Sequence, residues 1–280
     1  MIPNVIMRYV FLIYLMLSCM VLSGEDIESP LFQSFAYYPY QVDTLLGTNN
    51  FSMNVNLSCS NLIHVFRYSL NETDMEIFSG IWALRYGLFK KTTIELYIKN
   101  SYANPGILDG FISWFHNTFG FPNDSRDLVD DFRVAYRFKD EFGYVKEKFV
   151  LHSPVLSSLT QIFSYKKFKA KLRFGLGIPV NHVPGFTAGR FFFTVGIINQ
   201  FTSRDFKVSL SKYFSFFKKP EWLGSEYLKS NVQFFFRVKL NYKWMIFGAT
   251  FRTSPIQDKY YSSSGSQLMF GISLFKGRIE

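Results

Sequence analysis

The sequence predicts an all-β protein, an antiparallel transmembrane β-barrel of about twelve strands (within about ten to fourteen) with one helix in a long loop. Three observations carry this reading. Apolar and polar residues alternate with a period of two along segment after segment. After residue 24 no apolar run is long enough to cross a bilayer as a helix. Short connections alternate with long ones, as the periplasmic turns and extracellular loops of an outer-membrane barrel do.

The N-terminus reads as a secretory signal over residues 1–24. Arg8 supplies the positive region, and Tyr9 to Leu22 is apolar apart from Ser18 and Cys19. Ser23 or Gly24 then offers a small residue for cleavage. A retained anchor is the alternative, and lipidation at Cys19 is a minor one because Met16-Leu17-Ser18 is a poor lipobox. Residues 25–280 contain no Pro/Ser/Gly-rich linker and no shift in composition, so they are expected to form a single domain. Only Cys59 remains after cleavage, so ladder and packing rather than a disulfide must hold this domain.

The strands are expected near 48–60, 77–89, 92–101, 131–139, 143–151, 155–165, 169–178, 188–199, 204–217, 230–240, 243–253 and 266–275. In the seventh, Leu172, Phe174, Leu176 and Ile178 alternate with Lys171, Arg173, Gly175 and Gly177. In the ninth, Val208, Leu210, Phe214 and Phe216 alternate with Lys207, Ser209, Tyr213 and Ser215. Lys90-Lys91, Lys139 to Gly143, Lys166-Lys167, 199–204 and Asn241-Tyr242 are the short connections. The long ones are 61–76, 102–130, 179–187, 218–229 and 254–265.

Alternation leaves open which face is inside. A soluble barrel or sandwich would put the apolar face inward. The membrane reading is favoured by the expected export, by aromatic residues such as Trp82, Tyr86, Phe89, Tyr242 and Trp244 at strand ends, and by a lumen too wide to fill from its own strands.

The helix belongs to the loop 102–130. Ile107, Leu108, Phe111, Ile112, Phe115 and Phe119 recur at helical spacing between Pro105-Gly106 and Gly120-Phe121-Pro122. The expected role is a plug at the barrel mouth, with Asp109, Phe111, Trp114, Phe115 and His116 as its contact residues. The alternative lays the aromatic side in the membrane interface.

The run from Gly106 to Pro122, GILDGFISWFHNTFGFP, resembles the signature of the bacterial family known as domain of unknown function 3187. Leu84-Arg85-Tyr86-Gly87-Leu88 and Gly175-Leu176-Gly177-Ile178-Pro179 are similar to two strand ends of that family. The family's G-L-G-D segment is absent, and Ser153-Pro154-Val155-Leu156-Ser157 stands near its place. The resemblance implies an outer-membrane β-barrel and brings no established activity.

The whole chain carries a net charge of +10. Removing residues 1–24 takes away Arg8 alone and leaves 30 basic against 21 acidic residues, a net +9. An exported basic protein is expected to meet anionic partners: lipopolysaccharide, anionic lipid of the outer membrane, or small acidic solutes. Nucleic acid is not expected, because the charges are spread along strands. With the polar faces inward, the lumen would be lined by Arg85, Lys99, Arg133, Arg137, Lys169, Lys171, Arg173, Arg190, Lys207, Arg237 and Lys239, and such rings favour anions. Some of these cations would instead neutralise acids of the helix loop.

Asp109, Ser113 and His116 share one helix face, the parts of acyl-transfer chemistry, but side by side and without oxyanion donors. His64, His152 and His182 form no metal-ligand spacing with Cys59, so neither metal nor cofactor is expected. The expectation is therefore an outer-membrane barrel, a plugged or gated pore for small anionic or amphipathic solutes. The alternatives are a lipid-modifying enzyme or a structural, surface-interacting barrel without a pore.

Overall fold

The structure, a computed structural model, describes residues 43–65, 71–106, 109–120, 134–138, 142–180, 183, 186–187, 189–220, 228, 230–242, 245–253 and 267–274. The expected signal at 1–24, with Cys19, lies outside the described residues.

Strong alternation and β-branched or aromatic residues give thirteen antiparallel strands in one sheet. They are β1 (Phe51–Val65), β2 (Asn71–Phe89), β3 (Thr92–Asn104), β4 (Ala135–Phe138), β5 (Phe142–Tyr144), β6 (Lys148–Leu151), β7 (Val155–Tyr165), β8 (Phe168–Gly177), β9 (Phe192–Thr202), β10 (Phe206–Phe217), β11 (Val232–Tyr242), β12 (Met245–Arg252) and β13 (Gln267–Leu274). The one α-helix among the described residues, α1, spans Asp109–Phe119. Ten strands lie side by side in the order β1, β2, β3, β7, β8, β9, β10, β11, β12, β13, and this sheet curls into a half-barrel. The outer edge of β3 is shared, with β7 on residues 92–97 and β6 on residues 100–103. At the other end β4 continues along β2 at residues 71–74, and β5 pairs with β4.

Two elements differ from the expectation. The segment 143–151 divides into β5 and β6 about the exposed Val145, Lys146 and Glu147, where three polar or solvated positions interrupt the alternation. The long connection expected at 61–76 is largely strand. The β1–β2 register runs unbroken from Phe51 opposite Tyr86 to Val65 opposite Glu72. Asn71-Glu72-Thr73-Asp74 lacks apolar alternation, so partner hydrogen bonds rather than side-chain pattern make it strand.

The two faces of the sheet are inverted relative to a water-soluble fold. Arg85, Glu95, Lys171, Arg173, Gln200, Ser211, Ser215, Gln233, Arg237 and Arg252 are buried on the concave side. Phe51, Met53, Leu57, Leu156, Phe174, Leu176, Phe193, Phe201 and Phe214 are exposed on the convex side. Apolar side chains are buried as well, among them Met75, Ile77, Val150 and Phe217. Leu159, Ile198, Tyr213 and Phe235 form one buried cluster, and Ala83, Tyr97 and Val155 form another. Tyr213 lies flat on the wall because its partner is Gly196, where a Cβ would fall 2.0 Å from Tyr213 Cδ1. An inward aromatic thus fits without filling the space above it.

Candidate functional site: the polar interior

At the centre of the concave face a buried carboxylate holds two guanidinium groups from different strands. Arg85 Nε donates to Glu95 Oε1 at 2.9 Å, and Arg173 Nη2 lies 3.0 Å from Glu95 Oε2. Tyr97 Oη donates to Glu95 Oε2 at 2.8 Å, and Ser157 Oγ donates to the same oxygen at 3.2 Å. Strand alternation dictates this meeting. Arg85 and Glu95 are direct cross-strand partners, and Ser157 stands opposite Glu95 on β7 and opposite Gly175 on β8.

Toward the short-turn end a stretch of chain preceding β1 crosses the interior. Arg85 donates to the main-chain oxygen of Thr44, and Lys171 Nζ to that of Asp43. Gln200 Nε2 also donates to the Asp43 oxygen at 3.4 Å, while Thr93 Oγ1 accepts from the Leu46 amide at 2.9 Å. Leu45 packs against the cluster of Leu159, Ile198, Tyr213 and Phe235. Residues 43–46 therefore touch inward side chains from β2, β3 and β7–β11. The segment then turns out to the rim. Gly87 pairs with Asn49 and Asn50 through hydrogen bonds of 2.7 and 2.9 Å. Gly87 must be glycine here, because a Cβ would fall 2.0 Å from the Gly47 oxygen.

The opposite end is built differently. Ser79 and Ser101 hydroxyls lie 3.0 Å apart, and Ser101 Oγ lies 2.9 Å from His152 Nε2. His152 sits in the connection between β6 and β7. Burial, reinforced by the Lys99 ammonium, pushes its imidazole down to about 3, so it is neutral. Ser101 is fully buried, which makes this row a hydrogen-bonded brace rather than an accessible nucleophile. Farther out, Tyr136 of β4 packs edge-on against Phe186, between β8 and β9 in sequence, at 5.5 Å. The helix loop is tied to the same region. The Gly106 amide donates to Asn104 Oδ1 at 2.8 Å. With φ at 90°, Gly106 lies so close to the buried Glu76 that a Cβ would fall 2.4 Å from its Cδ.

The expected lumen residues divide into three groups. Arg85, Lys171, Arg173 and Arg237 are buried inside the sheet. Lys99, Lys207 and Lys239 are half-buried on inward positions, and Lys169, at the short-turn rim, is exposed. Arg190 is half-buried ahead of β9, and Arg137 is exposed on β4, away from the ten-strand wall. Arg133 and the side chain of Asp109 lie outside the described residues. In α1, Phe111, Phe115 and His116 are half-buried and Trp114 is 57% exposed. Phe111, Phe115 and Phe119 stack along one side, with centroids 6.3 and 4.7 Å apart. No described side chain of α1 is buried.

Sequence reasoning missed residues 43–46, Gln200 and Arg252. Asp43-Thr44-Leu45-Leu46 has no alternation long enough to register, and its contacts are mostly made by its backbone. Arg252 could have been found, since it alternates with Phe251 at the end of β12.

Residues 29–174, more than half of the chain, match the family described as Protein of unknown function (DUF3187). The chain belongs to that family. No curated protein matches it.

Proposed function

We propose that this member of the DUF3187 family is an outer-membrane β-barrel whose basic interior admits small anionic or amphipathic solutes. The observation that supports the reading is the inversion of faces: guanidinium, ammonium and carboxylate groups inside, and Phe, Leu, Met and Ile outside. Each outward Phe or Leu left in water forgoes roughly 1.5–3 kcal/mol of burial, and a convex face covered with them is suited to hydrocarbon. In a bilayer no sheet edge is tolerated. Ten strands is an even number, so β1 and β13 would meet antiparallel and close the wall.

Charge gives the direction of selectivity. Arg85, Arg173, Lys171, Lys207, Arg237, Lys239 and Arg252 face inward on the wall, and the carboxylates of Glu95 and Asp43 stand among them. A lumen of that sign favours anions. A second reading, a structural barrel with a sealed lumen, draws on the segment 43–46 that crosses the interior. Conductance separates the two.

Residues 25–280, refolded into a planar lipid bilayer, are expected to insert, to migrate differently on a gel with and without heating, and to carry an anion-selective current. Insertion without current, even after residues 25–46 are removed, supports the sealed barrel. A protein that stays soluble and ignores lipid sinks both.

A further inference from the structure

We infer that this protein self-associates within the membrane through a polar patch on its convex face. The patch is Lys212 of β10 beside Asn199 of β9, and it pairs with the same patch of a second copy. The inference rests on the barrel reading above and names the partner of its outer wall.

Lys212 interrupts an otherwise apolar row. On β10 the outward positions are Phe206, Val208, Leu210, Lys212, Phe214 and Phe216, all exposed or half-buried. Across the sheet Lys212 stands opposite Ile197 of β9 and Phe236 of β11, so its four neighbours on this face are apolar. Its depth follows from strand geometry. The steps from Phe206 to Phe216 climb about 25 Å at a tilt of about 40°, the height of the apolar band on an outer-membrane barrel. Charged residues bound the row at both ends, Arg204 and Asp205 before it and Lys218 and Lys219 after it. Lys212 therefore lies about 15 Å from one margin and about 10 Å from the other. A lysine stem reaches only roughly 6 Å, so snorkelling does not carry this ammonium to a headgroup.

An ionisable side chain at that depth calls for a partner inside the membrane. Among the described residues no hydrogen bond or ion pair involves the side chain of Lys212 or of Asn199. Elsewhere on the convex face polar side chains pair within the chain. Trp82 Nε1 donates to Asn100 Oδ1 at 3.0 Å, and the Thr92 and Thr160 hydroxyls lie 3.2 Å apart.

The patch is complementary to itself. Asn199 stands opposite Leu210 and Lys212 opposite Ile197, which makes the two polar residues diagonal neighbours on one face. An ammonium only donates, and a carboxamide oxygen accepts. Two copies related by a twofold axis along the membrane normal each set Lys212 against Asn199 of the partner subunit, and the two ammonium groups do not face each other. Ala170, opposite Asn199 on β8, is short, and small residues let membrane-embedded surfaces approach closely. The place in the wall also leaves the patch open. β9 and β10 are sixth and seventh of the ten strands, so closure between β1 and β13 does not cover it.

The test refolds residues 25–280 into vesicles of phosphatidylcholine, which carries no net charge. Leu210→Cys in a Cys59→Ser background is oxidised with copper phenanthroline, beside Met53→Cys on β1 in the same background. Position 210 is expected to form disulfide-linked dimers at least fivefold faster than position 53. Sedimentation equilibrium in uncharged micelles then compares the unsubstituted chain with Lys212→Leu and Asn199→Leu, each expected to weaken the dimer roughly tenfold. Heat-dependent gel migration checks that each variant folds. Equal cross-linking at the two positions, or a dimer indifferent to both leucine substitutions, overturns the inference. Association that requires an added phosphorylated lipid also overturns it, since Lys212 then serves a headgroup. A chain that inserts but stays monomeric removes the dimer and leaves the barrel. A chain that ignores the vesicles removes both.

Discussion

Along β8, Arg173 is fully sealed from solvent while its neighbour Phe174 is 53% exposed, and β10 repeats the contrast with Ser215 buried beside an exposed Phe214. In a water-soluble sandwich the assignments would be exchanged. The comparison teaches where each face gets its stability. The concave side is held by charged and hydrogen-bonded groups that satisfy one another across strands, with Glu95 at the centre. The convex side carries exposed apolar side chains that make few contacts within the chain.

The sharpest way to break the concave side is Glu95→Ala. Removing the carboxylate strands Arg85 and Arg173 in a buried site, and loss of one partner of a buried ion pair costs about 3–5 kcal/mol. Urea unfolding in lipid vesicles should register that loss; a change below about 1 kcal/mol would mean water reaches the guanidinium groups freely. Phe174→Arg tests the other side. In a bilayer an outward Arg near the midplane costs about 2–4 kcal/mol. If the convex face meets water instead, the same substitution is neutral and improves solubility, so the sign of the result separates the two surroundings. The smallest effect belongs to the exposed side of α1. Trp114→Ala is expected to shift stability by no more than about 0.5 kcal/mol, as for an exposed side chain away from the packed regions. A larger loss in vesicles, absent in detergent, would show that the aromatic side of α1 is seated in lipid.

The helix itself was readable, because Ile107 through Phe119 keeps one period of 3.6 between glycine and proline breakers. Its surroundings were not: a helix with a strong apolar stripe can plug a lumen or face outward, and the stripe is the same in both. The strands were legible for a related reason. Alternation is a local property, so β7 and β8 fall within a residue of their expected bounds. β4 was legible as a strand but not as an extension of β2, since partner choice depends on hydrogen bonds that no pattern encodes. The buried Arg85, Lys171, Arg173 and Arg237 alternate with apolar neighbours along their strands, a pattern the sequence displays. That Arg85 and Arg173 converge on Glu95, strands apart in sequence, follows only from the register of β2, β3, β7 and β8.

The sequence by itself determined the all-β class, most of the strand spans, the opposite chemistry of the two faces and the aromatic helix. Each depends on the spacing of residues a few positions apart, which backbone geometry converts directly into a face. Only the tertiary structure decided that the polar face is the concave one, because curvature is a property of the whole sheet. It also decided that residues 43–46 meet the inward side chains. Those contacts are made by main-chain oxygens on Lys171 and Arg85, and main-chain oxygens look alike at every position of a sequence.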